Sequence, residues 1–168
     1  LIVLVADLVQ YFTHRAYHEV PLLWRLHAVH HSVKSMDWMA GSRQHILELL
    51  ITRTLLLAPI YVLGFSKEVI DAHIIIVGFQ AVLNHCNVNV RLGPLRFLLV
   101  TPNVHHGHHS LDQEALDKNY AAHFAFLDYL FGTAVKSDRA WPASYGVLGD
   151  YVSDGFFRQL KFPFVWKG

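Results

Sequence analysis

The chain has 168 residues, the length of one domain. Hydrophobic residues make up 53% and charged residues only 16%, against about 25% charged in ordinary soluble domains, a balance that points to a membrane protein. A net charge of +1 with neutral histidines offers nucleic acid no basic footprint, and the lone Cys86 excludes an internal disulfide framework or a cysteine-based zinc finger.

The first residues, Leu1-Ile2-Val3-Leu4-Val5, already lie inside an apolar run without an initiator Met. They read as the start of an N-terminally truncated single domain, with no secretory signal in view. Residues 1–18 predict an apolar helix that turns polar at its end, with Asp7, Tyr11, His14 and His18 along one stripe. Pro21 starts or redirects a second helix carrying Trp24, His27, His30 and His31. Residues 32–44 are polar, contain Gly41 and read as a connection.

Two long apolar stretches follow, residues 46–65 and 69–88, each close to the roughly 20 residues that cross a hydrocarbon core. Pro59 is placed to kink the first, and Glu48 and Arg53 sit towards its beginning, where charged side chains snorkel to the interface. Gly64 ends it, and Ser66 with Glu68 predicts an N-cap and an acidic first turn for the next helix. The expected fold is an all-α polytopic membrane protein with a hairpin turning at residues 64–67. Such a hairpin returns the chain to the side it left, so all the histidine clusters share one face. That face carries Arg15, Arg25, Lys34, Arg43, Arg91 and Arg96 against Lys67 alone at the turn, and the positive-inside rule makes it cytoplasmic. The tail, residues 141–168, interleaves Phe156, Phe157, Phe162, Phe164 and Trp166 with Arg158, Lys161 and Lys167, a composition suited to a membrane interface.

The chemistry lies in the histidines. His14 and His18 form H-x-x-x-H; His27, His30, His31 and His105, His108, His109 each form H-x-x-H-H. Residues three and four apart share a helix face, so each cluster presents its imidazoles in one direction. Eight aligned imidazoles exceed one four- to six-coordinate ion and suit two, and imidazole favours iron, zinc, copper or nickel. A pair at helical spacing is often structural, but neutral histidines packed this densely would need many hydrogen-bond partners. Asp7, a carboxylate in an apolar segment, is the best candidate to accept the second ring N–H of a ligand; Asp112, Asp117 and Asp128 are further candidates.

These motifs and their flanks resemble the fatty acid hydroxylase superfamily of membrane non-haem di-iron enzymes, which includes sterol desaturases and methylsterol oxidases. Asp7-x-x-x-Tyr11-x-x-His14-Arg15-x-x-His18 and Leu23-Trp24-x-x-His27-x-x-His30-His31-Ser32 are similar to its first two histidine boxes. Thr101-Pro102-x-x-His105-x-x-His108-His109 is similar to the third, and Asn119-Tyr120 with Asp128 and Phe131-Gly132-Thr133 to its closing signature. Ala121 and Leu127 depart from the usual Gly and Trp without touching the clusters. The resemblance implies His85 as a ninth ligand, at the end of a span. It places Asn89, where some relatives carry a further histidine, together with Asn119, His123 and Asp128, around the ligands; His106, out of register, joins them. His45 receives no ligand role, and His73, early in the second stretch, is expected to bind no metal.

What the resemblance implies chemically is two iron ions, O2 as co-substrate, and hydroxylation or desaturation of a lipid C–H bond, with sterol, fatty acid, carotenoid and alkane all open. The chain has no Rossmann fingerprint, flavin motif or haem-attachment cysteine pair, so electrons come from an external donor, which the resemblance implies is a b-type cytochrome or a ferredoxin with its reductase. Three competing readings are a histidine-rich membrane protein that binds or transports metal, a hydrolytic dizinc enzyme, and an inactive relative. Ligands flanking the spans rather than at mid-membrane, the absence of carboxylates within the clusters, and the intact clusters respectively weigh against them.

Overall fold

Helix α1 (Ile2–Glu19) stops at Val20, which is extended ahead of Pro21. Helix α2 (Pro21–His31) restarts with that proline in its first turn, where a missing N–H costs nothing. The computed structural model describes residues 1–135, 141–149 and 151–166. Beyond α2 come α3 (Ile46–Val62), α4 (Lys67–His85), α5 (Pro102–His108), α6 (Phe126–Leu130) and α7 (Phe156–Val165), with 3-10 turns at Ala40–Ser42 and Gly93–Phe97. The architecture is all-α, and α1 lies at its centre, packed against α2, α3 and α4, while α5 rests on α4 and α7 on α2.

The two apolar stretches form helices, but the expected membrane spans are not met: among the described residues no helix is long and apolar enough to cross a membrane. Helix α3 has 17 residues, a length of about 25 Å against a hydrocarbon core of about 30 Å. Helix α4 is longer, but it begins with Lys67, Glu68 and Asp71 and ends at His85, short of residue 88, with Asn84 and His85 buried in protein. The polytopic expectation took its lengths from hydropathy alone, and the chain breaks into shorter pieces at Leu63 and Cys86. Ser66 occupies the N-cap of α4, but its side chain accepts no backbone N–H; His45 and Thr101 are the side chains that cap α3 and α5. In the tail, α7 buries Phe162 against Val29 and Val152, while Phe156, Phe157 and Phe164 face outward; Lys167 lies outside the described residues.

The hairpin of α3 and α4 nevertheless returns the chain to where it left. Glu48 in the first turn of α3 touches His27, and His85 in the last turn of α4 touches His30. Small apolar clusters pack the helices together, one of them built on Tyr11, Val100, Tyr120 and Leu127 and another, towards the turn of the hairpin, on Ala6, Leu56 and Ile60 with Phe65 and Ile70.

Two buried carboxylates hold the segment after α5 in place. Asp7 accepts from the backbone N–H of Ala122 (3.2 Å), His123 (3.0 Å) and Phe124 (2.7 Å). Asp128 accepts from those of Tyr120 (2.7 Å) and Ala121 (3.0 Å) and from the Thr133 hydroxyl (2.8 Å). Asn119 begins this run in the left-handed region, with φ 57°. Removing Asp7 strands three N–H donors in the interior, each worth about 1–3 kcal/mol when left unpaired. Asp7→Ala is therefore expected to lower the unfolding free energy by about 3 kcal/mol or more. Asp112→Ala, at an exposed site, should stay within about 0.5 kcal/mol of the parent. Chemical denaturation of the two variants checks both.

Candidate metal centre

The nine imidazoles expected as ligands come together in two adjoining groups. His14, His18, His27, His31 and His108 form one and His30, His85, His105 and His109 the other, with the candidate ligand atoms of each group within 4.8 Å of one another. Helical spacing does the local work: His14 and His18 leave α1 on one face, His27, His30 and His31 leave α2, and His105 and His108 leave α5, with His109 at its C-cap. The groups share a wall, where the rings of His31 and His109 stack with centroids 4.3 Å apart.

The ring nitrogens are sorted by their partners. The Nδ1–H of His14 donates to Tyr120 O (2.8 Å), that of His30 to Arg43 O (3.0 Å), that of His85 to Ala81 O (2.7 Å) and that of His108 to Lys118 O (2.7 Å). A carbonyl oxygen only accepts, so these four rings carry their proton on Nδ1 and a bare lone pair on Nε2. Nε2 of His85 lies 3.4 Å from Nε2 of His30, two lone pairs face to face with no proton between them. Nε2 of His108 is buried with no partner at all. This is a donor set for a cation, which relieves the repulsion and satisfies the buried acceptors together.

Two further rings are backed by carboxylates. His27 Nδ1 lies 2.7 Å from Glu48 Oε1, and His18 Nδ1 lies 3.0 Å from Asp117 Oδ1. Tyr17 stacks on His27 and donates its hydroxyl hydrogen bond to the Glu48 carbonyl (3.1 Å). Desolvation pushes the Glu48 carboxyl up to about 8. The same burial, with the neighbouring His18 charge, holds His14 down at about 3, and it holds His27, His30, His31, His105, His108 and His109 well below the usual imidazole value. His18 is also lowered by burial, against the opposing pull of Asp117. All are neutral near pH 7 and ready to ligate.

The surrounding residues are sorted differently from expectation. Asp7 touches no ligand; besides the loop N–H groups it meets His123 Nδ1 (3.2 Å), because the His14 N–H is already taken by Tyr120 O. Asp128 likewise acts on the backbone, and Asp112 is exposed. Asn89 is also exposed and accepts from Asn103 Nδ2, away from both groups. Asn119 anchors Val135 N through Oδ1 and leaves Nδ2 buried and unpaired. His106 is fully buried, bonds the Tyr145 hydroxyl (2.8 Å) and donates to the carbonyl of His85 (3.3 Å). His45 caps α3 and donates to Leu160 O (3.0 Å), and His73 is buried outside both groups. Glu48 is the residue that sequence reasoning missed. The signal was present, a carboxylate in an apolar helix, the same signal that singled out Asp7.

Residues 1–133 match the fatty acid hydroxylase family, and the chain belongs to it. It is 35% identical over 98% of its length to an ornithine lipid hydroxylase of Rhizobium tropici, covering 49% of that protein. It is 32% identical over 76% of its length to the alkylglycerol monooxygenase of Homo sapiens, covering 28% of it. A very-long-chain aldehyde decarbonylase of Oryza sativa subsp. indica is 26% identical over 78% of this chain, which covers 22% of it. The chain thus spans about half the length of the first of these relatives and less of the others. No solved structure matches it.

In the unfolded chain the histidines take up protons below their usual value of 6.5, whereas the buried rings do not until far lower pH, about 3 for His14. Where the unfolded state binds more protons, stability rises with pH. The metal-free protein is therefore expected to lose stability steadily as pH falls from 6.5 towards 4, by on the order of 1 kcal/mol per pH unit for each such ring. Thermal melts across that range check the slope, and a pH-independent melting temperature would contradict the burial of neutral rings.

Proposed function

We propose that this member of the fatty acid hydroxylase family is an O2-dependent oxidoreductase that uses two iron ions to hydroxylate a C–H bond of a lipid. The observation that carries the reading is the pair of histidine groups, whose Nε2 lone pairs face one another while backbone carbonyls hold the Nδ1 protons. In this reading His14, His18, His27, His31 and His108 hold one ion, and His30, His85, His105 and His109 the other. Bound iron supplies the capacity to reduce O2 and oxidise an unactivated C–H bond, chemistry beyond any protein side chain.

The protein's share is to hold and orient. The carbonyls of Tyr120, Arg43, Ala81 and Lys118 set the ring angles. Asp117 adds negative charge behind His18, which raises the basicity of that ring, and Glu48 fixes the orientation of His27 through its Nδ1. Trp24 packs against the rings of His18 and His31 (centroids 5.1 and 5.5 Å) and keeps water from that side of the group. The names of two relatives, a hydroxylase and a monooxygenase, favour oxygen insertion over desaturation, and all three names describe lipids or long aliphatic molecules.

A membrane seat fits such a substrate. Leu50, Ile75 and Phe79 on α3 and α4, and Phe156, Phe157 and Phe164 on α7, leave much of their surface exposed, large apolar side chains of the kind that seat a protein on a membrane. In this reading the protein is held at the membrane with the histidine groups towards the cytoplasm. Electrons arrive from a separate carrier, a b-type cytochrome or a ferredoxin with its reductase.

Elemental analysis after anaerobic iron loading should find two ions per chain, and lipids from cells expressing the protein under ¹⁸O2 should gain one labelled oxygen. His108→Ala is expected to abolish labelling and reduce metal content, whereas His73→Ala keeps both. One ion or none in the parent, or equal loss in the two variants, refutes the assignment.

A further inference from the structure

Gly41 sits in the 3-10 turn Ala40–Ser42, which packs on α4 beside the last turn of that helix. Its backbone does not require glycine, since its φ lies outside the left-handed region where the positive-φ glycines of this chain fall. What requires glycine is space. A Cβ built on Gly41 would lie 2.9 Å from His85 Nδ1, 3.2 Å from His85 Cε1 and 3.3 Å from Ala81 O.

Neither side of that contact yields easily. The His85 ring is pinned by its bond to Ala81 O and faces His30 and His105 through Nε2. The turn is pinned by Ala40 N to Asp37 O (2.9 Å), Ser42 N to Met39 O (2.9 Å) and Arg43 N to Ala40 O (3.1 Å). The same short stretch supplies Arg43 O, which holds the Nδ1–H of His30. Two of the four histidines in this group therefore take their positions from residues 40–43, one by contact and one by hydrogen bond.

We propose that Gly41 is a positioning residue for the four-histidine group: the missing side chain lets the turn close on His85 and sets where its Nε2 points. The proposal rests on the two-ion reading above for its consequence, selective loss of one ion, but the placement of the ring is independent of any metal. A methyl group at this position moves the His85 ring or the turn, and with the turn the carbonyl that orients His30. None of the three atoms nearest that Cβ belongs to the five-histidine group, which is expected to keep its geometry.

The test compares the parent, Gly41→Ala and Gly78→Ala, the last placing a methyl on α4 with nothing within 4 Å. In Co(II) titrations of metal-free protein, the parent and Gly78→Ala are expected to take up two ions. Gly41→Ala takes up the first ion normally and the second about 10- to 100-fold more weakly, the usual cost of disturbing a ligand's support. Two ions bound by Gly41→Ala with parental affinity overturn the inference and leave the two-ion reading standing; fewer than two in the parent overturn that reading. A metal-independent arm decides the placement in either event. The ¹⁵N resonances of the His85 ring in metal-free protein shift in Gly41→Ala, and unchanged resonances overturn the inference. If Gly41→Ala folds poorly, Gly41→Ala/His85→Ala removes the ring that the methyl meets and regains the helical circular dichroism of His85→Ala alone. A double variant that does not regain it also overturns the inference.

Discussion

A neutral imidazole has one proton for two nitrogens, and in this fold the backbone decides which nitrogen keeps it. Four ring N–H groups are spent on carbonyl oxygens, which cannot return a proton. The opposite nitrogens are then obliged to be acceptors, and the helices aim them at each other in a dry interior. An unpaired buried acceptor costs about 1–3 kcal/mol, so the arrangement stands against ordinary packing preferences unless a cation shares the lone pairs. No wholly structural role accounts for rings whose tautomers are fixed to produce that repulsion. The rest of the molecule serves to maintain it.

The maintenance is carried out at one remove. Tyr120 and Lys118, whose carbonyls orient His14 and His108, lie in a segment with little regular structure. It holds its shape because Asp128 grips Tyr120 and Ala121 while Asp7 grips Ala122, His123 and Phe124. Each carboxylate is almost fully buried and tied to several N–H donors, which is how a buried anion is made tolerable. Asp7 comes from the first turns of the chain and the segment it holds from more than a hundred residues later. The geometry of the histidine groups therefore depends on long-range closure between α1 and the region after α5. Thr133 extends the same network, giving its hydroxyl to Asp128 and meeting the Tyr11 hydroxyl at 2.7 Å.

Much of the centre was legible because imidazole spacing on a helix is a local property. His14 with His18, the triplet in α2 and the triplet at α5 each point one way by helical periodicity alone. His85 was not legible in that manner, since it stands by itself at the end of an apolar helix and entered through family resemblance. Glu48 and Asp7 illustrate what remained hidden. Both are carboxylates in apolar helices, but whether such a group meets a ligand or a loop is settled by tertiary packing that no spacing encodes. Hydropathy misled in a related way. The stretches at residues 46–65 and 69–88 are apolar because α3 and α4 cover the histidine groups and leave a greasy outer face. Of their polar residues, Glu48 and His85 point inward to the histidine groups and Asn84 to the carbonyl of Ala122, and a hydropathy average reads those as tolerated exceptions.

The two histidine groups are chemically unlike, and the difference lies in the partners of their rings. The five-histidine group has two carboxylates behind it, one buried on His27 and one exposed on His18. The four-histidine group has backbone carbonyls only, behind His30 and His85, and the Nδ1 atoms of His105 and His109 are buried without partners. A carboxylate behind an imidazole makes it a stronger donor and adds negative charge near the ion; a carbonyl does less of the first and none of the second. Ions of the same kind would therefore meet different surroundings, five rings with the Asp117 carboxylate at one edge in one group and four rings without a carboxylate in the other. Each group draws on three helices, the five-histidine group on α1, α2 and α5 and the four-histidine group on α2, α4 and α5 with its C-cap, so the geometry of both depends on how those elements are packed. The fold thus makes the two groups unlike before any ion or substrate arrives.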